Sequence, residues 1–253
     1  MSSYAQIVAM WQAYNVQTEA DIDLRLHNFR ILFAYNSGKI ENDRISYHDT
    51  REIFENRRIL NYTGDTRTLF EQENQKLCYE FLKKKLIEKV PLSIALILEI
   101  HNILTSGTYD ERRFIELGER PGMFKKHDFV IGREEVGSLP GKVETDLRAL
   151  LSELDEHEKG DVLKVAAYLH AHFEYIHPFA DGNGRVGRTL MNYYLMIQGH
   201  PPIVIHDEHK KAYYAALESY DRDEDLEPMH AFLQSETCST WEKTLHREKC
   251  GDA

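Results

Sequence analysis

Two apolar runs with a proline and a glycine-rich turn between them constrain this chain more than any other feature. The first run, VLKVAAYLHAHFEYI at residues 162–176, repeats apolar residues at helical spacing, and Asp161 stands before it as a candidate N-cap. Pro178 disfavours helical backbone for the residue ahead of it, so the predicted helix ends at Ile176 and leaves His177 at a helix–loop junction. Gly182, Asn183 and Gly184 make a tight turn into a second run, RVGRTLMNYYLMIQG, which is apolar enough to be buried and has Gly199 as its C-cap. The chain is thus expected to be organised around two helices joined by a short loop.

Most of the remaining sequence has the same period. In EADIDLRLHNFRILFAYN the apolar positions Ile22, Leu26, Phe29 and Phe33 share one face, and Ser37-Gly38 is expected to interrupt that run. Residues 66–90 place Leu69, Leu77, Phe81 and Leu86 on an otherwise charged helix. Pro91 ends that helix and opens the next, PLSIALILEIHNIL. Another helix follows Pro140-Gly141, with Val143, Leu147, Leu150, Leu151 and Leu154 on its apolar side, and KKAYYAALESY and LEPMHAFLQSETCSTWEKTL read as the last helices. The stretch GMFKKHDFVIG at 122–132 differs. It is bounded by glycines and rich in β-branched and aromatic residues, and with REEVG after it a short β-hairpin is expected. The pattern predicts an all-α bundle with one hairpin.

With 253 residues and a 42% hydrophobic share, a sizeable core can form. The net charge of −11 argues against a general nucleic-acid binder, so no direct nucleic-acid binding is expected. The three cysteines, Cys78, Cys238 and Cys250, are too scattered for a disulfide framework or a zinc knuckle. No signal peptide and no uncharged apolar run of about 18 residues is found, so no membrane association and a cytoplasmic location are expected.

The loop HPFADGNGRVGR carries the chemistry. Glycines allow a ligand to approach the backbone, and the unpaired amides of a helix N-terminus favour an anion. Arg185 and Arg188, spaced i, i+3, can both face that cradle, and guanidinium groups suit phosphate oxygens. Asp181 beside the cradle is a candidate magnesium ligand, and His177 can take a proton near neutral pH. Together they suit a phosphoanhydride held with a metal, and a base that activates an attacking hydroxyl. A zinc site built from His170, His172 and His177 is unfavoured, because HxH on a helix turns its rings to different faces.

The loop resembles the signature HPFx[D/E]GNGRxxR of the Fic family (filamentation induced by cyclic AMP) at every specified position. LHAHFEYIHPF, GMFKKHDFVIG, GHPPIVI and KKAYYAAL extend the resemblance over about residues 20–235. It implies a Fic-type helical bundle with a hairpin flap, and a protein adenylyltransferase that moves AMP from Mg-ATP onto a hydroxyl of a target protein. The resemblance implies that His177 is the base and that Asp181 holds Mg²⁺. It gives Gly182, Asn183 and Gly184 the α- and β-phosphates with help from Arg185, Arg188 the γ-phosphate, and Tyr214 the adenine. Lys125, Lys126, His127, Asp128 and Phe129 fall in the target-docking flap.

Ser37, Glu41 and Asn42 in SGKIEN fit the family's inhibitory motif [S/T]xxxE[G/N], which implies that Glu41 occupies Arg188 and blocks productive ATP binding. Gly38 inside that motif is expected to loosen its helix by roughly 1 kcal/mol. In relatives with this glutamate the same site can also remove AMP. Transfer of another phosphate-containing group (UMP, phosphocholine) and a nucleotide-regulated binding module are the alternatives. Expected partners are ATP and an unidentified target protein, self-modification is expected, and a homodimer is left open. The division expected is an N-terminal helical region with the inhibitory motif at 1–65, a catalytic core at 66–235 and a C-terminal helical tail at 236–253.

Overall fold

Helices α8 (Val162–Ile176) and α9 (Asn183–Ile197) form the central pair of a computed structural model that describes residues 2–56, 62, 64–128, 130–131, 134–135, 137–156 and 160–251. Asp161 caps α8, its carboxylate accepting from the amides of Leu163 and Lys164. Almost every residue of α9 is buried, and Leu190, Met191 and Leu195 are wholly inaccessible. Each side chain of that size contributes about 1.5–3 kcal/mol when taken from water. Gly199 closes α9 with a left-handed φ of 71°, donating to the Met196 carbonyl.

Around this pair stand α1 (Ser3–Ala13), α2 (Glu19–Arg25), α3 (His27–Glu41), α4 (Tyr47–Asn56), α5 (Thr66–Ile87), α6 (Ile94–Thr105), α7 (Val143–Glu156), α10 (Lys210–Asp223) and α11 (Glu227–Cys250). Helix α7 buries Val143, Leu147, Leu150 and Leu154, the face its period predicts. The chain ends meet. Trp11 of α1 lies 5.3 Å from Trp241 of α11, and Phe29 of α3 stacks on the other side of Trp241 at 5.9 Å. The expected boundary at 235/236 falls inside α11, which runs through it unbroken.

Four sequence expectations need correction. The helix through Ile22–Phe33 breaks at Leu26 (φ −103°, ψ 12°) into α2 and α3. Helix α3 then continues through Ser37-Gly38, which the sequence had as an interruption. A Cβ on Gly38 would stand 2.5 Å from Ile45 Cδ1 and from Gln72 Nε2, so this glycine lets α3 seat closely against its neighbours. The next helix begins at Ile94 with Ser93 as its cap, not at Pro91. The buried side of α5 is mixed: Cys78 and Leu82 lie in the core, with Phe81 and Leu86 packed against it. Leu77 is half exposed, while Glu71, Gln72, Asn74, Gln75 and Lys76 are buried. Those polar groups serve neighbouring elements: Asn74 Nδ2 donates to the Ser106 carbonyl (2.8 Å) and Lys76 Nζ to the Ile53 carbonyl (2.7 Å).

The hairpin expected over 122–132 does not extend over that span. Among the described residues strand pairing is confined to β1 (Val130–Ile131) and β2 (Glu134–Glu135), antiparallel, and residues 121–128 form turns and bends. The physical reason is local competition for backbone donors. The Lys125 amide donates to the Pro178 carbonyl (3.0 Å), and the Lys126 amide donates to the buried Glu119 carboxylate (3.0 Å). Among the described residues the regular structure is therefore all helical apart from this four-residue ladder.

Candidate active site

His177 caps α8 in left-handed backbone (φ 50°, ψ 61°), its amide still donating to the Phe173 carbonyl. Such backbone costs a non-glycine residue about 1–3 kcal/mol, and Pro178 denies the right-handed alternative. The loop then reverses through Gly182 (φ 84°), where a Cβ would meet Thr105 Cγ2 at 2.5 Å. Asn183, the first residue of α9, braces the loop from within: its Oδ1 accepts from the Phe179 amide (2.9 Å) and its Nδ2 donates to the Phe179 carbonyl (2.8 Å). A Cβ on Gly184 would lie 2.3 Å from Glu41 Oε1, so the start of α9 is bare backbone facing a carboxylate.

These residues line a cleft of about 390 Å³ that brings together His177, Asp181, Gly182, Gly184, Arg185 and Arg188. Tyr214 is at its lip, 43% exposed, while the neighbouring Tyr213 is buried against Arg188. The flap residues Lys125, Lys126, His127 and Asp128 do not line the cleft floor; Glu119 anchors two of them, bonding the Lys126 amide at 3.0 Å and His127 Nδ1 at 2.9 Å. Phe129 lies outside the described residues.

Charge in the cleft is arranged in alternation. Asp181 Oδ2 accepts from Arg67 Nη2 at 2.7 Å and Oδ1 from Arg185 Nη2 at 3.3 Å. Glu71 Oε1 accepts from Arg67 Nε at 2.9 Å and lies 3.4 Å from Arg185 Nη1. Arg113 joins Arg67, Arg185 and Arg188 in the wall. Four guanidinium groups around one cleft favour a polyanion.

Arg188 is buried and fully engaged by α3. Its Nε donates to Ser37 Oγ (3.0 Å), and its Nη2 donates to the Ser37 carbonyl (2.9 Å) and to Glu41 Oε1 (2.9 Å). Its Nη1 donates to the Tyr213 hydroxyl at 3.4 Å, which His170 Nε2 meets from behind at 2.8 Å. Asn42 does not touch Arg188; it ends α3 and bonds Thr68 Oγ1 at 2.9 Å.

Burial, with the nearby Lys125 charge, pushes His177 down to about 4, so its imidazole is neutral at physiological pH. Burial likewise raises Glu174 to about 8, which leaves a protonated carboxyl in the cleft wall with Oε1 unpartnered. His101, held at about 3 by burial, accepts the Gly122 amide at Nδ1 (2.9 Å), so Nε2 carries the proton and faces the Asp181 carbonyl (3.1 Å). Its ring stacks on Phe179 at 3.6 Å. His101 thus ties the motif loop to the flap.

The sequence reading missed Arg67, Glu71, Arg113, Tyr213, Glu174 and His101. Only Tyr213 and Glu174 had a local signal, being adjacent to Tyr214 and one turn before His177. The zinc alternative is absent from the geometry: His170 bonds Tyr213, and His172 bonds the Tyr220 hydroxyl at 2.8 Å.

Residues 91–195 match the profile of the Fic/DOC family. The chain belongs to the Fic/DOC family. A protein adenylyltransferase Fic of Drosophila persimilis is 31% identical over 220 residues, covering 83% of this chain and 39% of the relative. Its Drosophila melanogaster counterpart is 30% identical, covering 83% and 40%. The chain therefore spans about two fifths of the length of the curated relatives it matches. The fold is shared with a Fic domain containing signaling protein of Bacteroides thetaiotaomicron (TM-score 0.83, 22% identity, 98% of this chain and 97% of that one). Fic-1 from C. elegans is similar too (TM-score 0.81, 22% identity, covering 98% and 72%). Among the described residues no helix is long and apolar enough to cross a membrane.

Proposed function

We propose that this Fic domain is a Mg-ATP-dependent protein adenylyltransferase, held back by its own α3. The observation that carries the reading is the capture of Arg188, the last cation of the loop, by Ser37 and Glu41. A γ-phosphate needs the same guanidinium, so the two anions compete for one buried cation. The Drosophila relatives named protein adenylyltransferase support AMP as the transferred group.

In this reading the bare amides of Gly182, Asn183 and Gly184 at the head of α9 receive the α- and β-phosphates, assisted by Arg185. Tyr214 at the lip meets the adenine. Neutral His177 takes the proton of the incoming target hydroxyl. Asp181 suits magnesium as a single carboxylate ligand beside phosphates. Its present partner Arg67 has a side chain 40% exposed, which can swing aside. When bound, the ion would neutralise phosphate charge.

The target segment is proposed to pair with the flap. The Lys125 and Lys126 amides already have acceptors inside the protein, so the pairing backbone lies beyond them. Removal of AMP at the same site is a second reading. It rests on the Glu41 side chain, 39% exposed in the cleft, where a carboxylate can orient a water. Incubation with Mg-ATP followed by intact-mass analysis tests the proposal. Addition of one AMP to this chain or a target supports it, a UMP or phosphocholine increment with the corresponding donor redirects it, and nucleotide binding without covalent change overturns it.

A further inference from the structure

Outside the cleft, His206, His209 and Glu236 form a cluster that the adenylyltransferase reading does not use. Glu236 lies on α11 with its carboxylate 1% exposed, and among the described residues its ion-pair partners are two histidines. His206 Nδ1 lies 2.9 Å from Oε2 and His209 Nδ1 lies 2.6 Å from Oε1. The His206 amide also donates to Oε2 at 2.8 Å. Both oxygens of this buried carboxyl group thus face imidazole nitrogens, and the three side chains turn their metal-ligating atoms toward one another.

We propose that His206, His209 and Glu236 bind one zinc-class divalent cation. The donor atoms all lie within 4.8 Å of one another, on a short 3₁₀ turn (Asp207–His209) and the face of α11 opposite it. Two imidazoles and one carboxylate are a set that tetrahedral zinc accepts, with bonds of about 2.0–2.2 Å and a fourth position left to water. Binding needs a slight parting of the imidazoles from the carboxylate, so that each lone pair meets the ion instead of a shared proton. The His209 side chain, 41% exposed, leaves an entry path.

The site is also mechanically placed. The turn between the two histidines is fastened to α3, because the Asp207 amide donates to Asn36 Oδ1 at 3.0 Å. Just beyond the turn, Lys210 Nζ donates to the Ile40 carbonyl. These contacts hold α3 at Asn36 and Ile40, next to Ser37 and Glu41, so an ion that stiffens the turn braces the helix that captures Arg188. This second consequence alone rests on the braking role proposed for α3.

The test is calorimetric titration of the full chain with Zn²⁺ in excess Mg²⁺, repeated with Co²⁺ by visible absorption. A Cys250→Ala background removes the thiol that lies 3.8 Å from His246 Nε2. The expected result is one site with the spectrum of tetrahedral Co²⁺, weakened at least about tenfold in His206→Ala and in His209→Ala, comparable to the loss from disturbing a metal's supporting shell. Absence of binding, or binding indifferent to both substitutions, overturns the site. Both variants should retain the wild-type helical circular dichroism, so loss of metal is separable from loss of fold. Hydrogen exchange of the 37–41 amides reads the brace without reference to AMP transfer: Zn²⁺ should slow it in wild type and not in His209→Ala. Unchanged exchange on Zn²⁺ binding refutes the brace and leaves the adenylyltransferase reading untouched.

Discussion

Replacing Glu41 by glycine should make the protein a faster enzyme. In the structure Arg188 spends its donors on Ser37 Oγ, the Ser37 carbonyl, Tyr213 and Glu41 Oε1. Only the last of these is an anion that a phosphate must displace. A hydrogen bond between charged groups contributes about 1.5–3 kcal/mol, and the lower part of that range applies because the Glu41 side chain is 39% exposed. Released to productive nucleotide binding, a coupling of about 1–3 kcal/mol is worth roughly 5–150-fold in rate. The close seating of Gly38 against Ile45 and Gln72 removes the reason to expect a loose brake, so the gain should clear the bottom of that range. The assay is self-modification with labelled ATP in wild type, Glu41→Gly, Arg188→Ala and the double variant. The gain should vanish in the double variant, where the liberated guanidinium is missing. Equal or lower activity in Glu41→Gly, or a gain that survives loss of Arg188, refutes the competition.

Further outcomes follow from the same site. His177→Ala should lower AMP transfer about 10²–10⁴-fold while ATP binding measured by calorimetry stays near wild type. Since His177 is held near 4, the rate of wild type should be level from pH 6 to 8, and a fall through pH 6.5 would show an ordinary histidine at work. Asp181→Ala and chelation of Mg²⁺ should each abolish transfer; activity that persists in EDTA removes magnesium from the account. Stability should fall in mild acid. His101 and His170 at about 3 and His177 at about 4 stay neutral in the fold, whereas the unfolded chain protonates them below 6.5. Glu174, raised from 4.5 to about 8, works in the opposite direction by holding one proton the unfolded chain releases. Between pH 6 and 5 the unfolded state therefore holds one to two protons more than the folded one, a loss of roughly 2–3 kcal/mol per pH unit. Urea midpoints at pH 7, 6 and 5 measure this, and a flat series contradicts neutral buried imidazoles.

The parts of the site that were legible in the sequence are those fixed by covalent spacing. Pro178, Gly182 and Gly184 dictate a turn into a helix, and Arg185 and Arg188 must then fall near its head. What tertiary packing decides was not legible. Arg67 lies 114 residues from the Asp181 it pairs with, and nothing local in TRTLFEQ announces a cleft wall. The apolar rule misplaced Leu77 on α5 because much of the helix's buried side is amides and charges that satisfy other elements. The hairpin was overextended for a related reason: Pro178, remote in sequence, takes the Lys125 amide, and the Glu119 side chain takes the Lys126 amide. Ser37-Gly38 read as a break because serine and glycine are poor helix formers, while Arg188 and Ile45 supply what propensity lacks.

If α3 holds the protein back as proposed, its burial restricts how the chain is switched on. Ile31, Ala34 and Ile40 are sealed in the interior, and Ile40 shares the main core with the helices of the motif. Undocking α3 would therefore bare these side chains to water, at about 1.5–3 kcal/mol for each large one. The freedom that remains belongs to one side chain. Glu41 ends α3 at the cleft, partly in solvent, and can rotate away while its helix stays seated. An activator of this protein would have no need to reach a distant surface. It would act at the cleft mouth, as a ligand or docked target that offers Glu41 a better neighbour than Arg188, so that the switch and the catalytic centre occupy the same few ångströms.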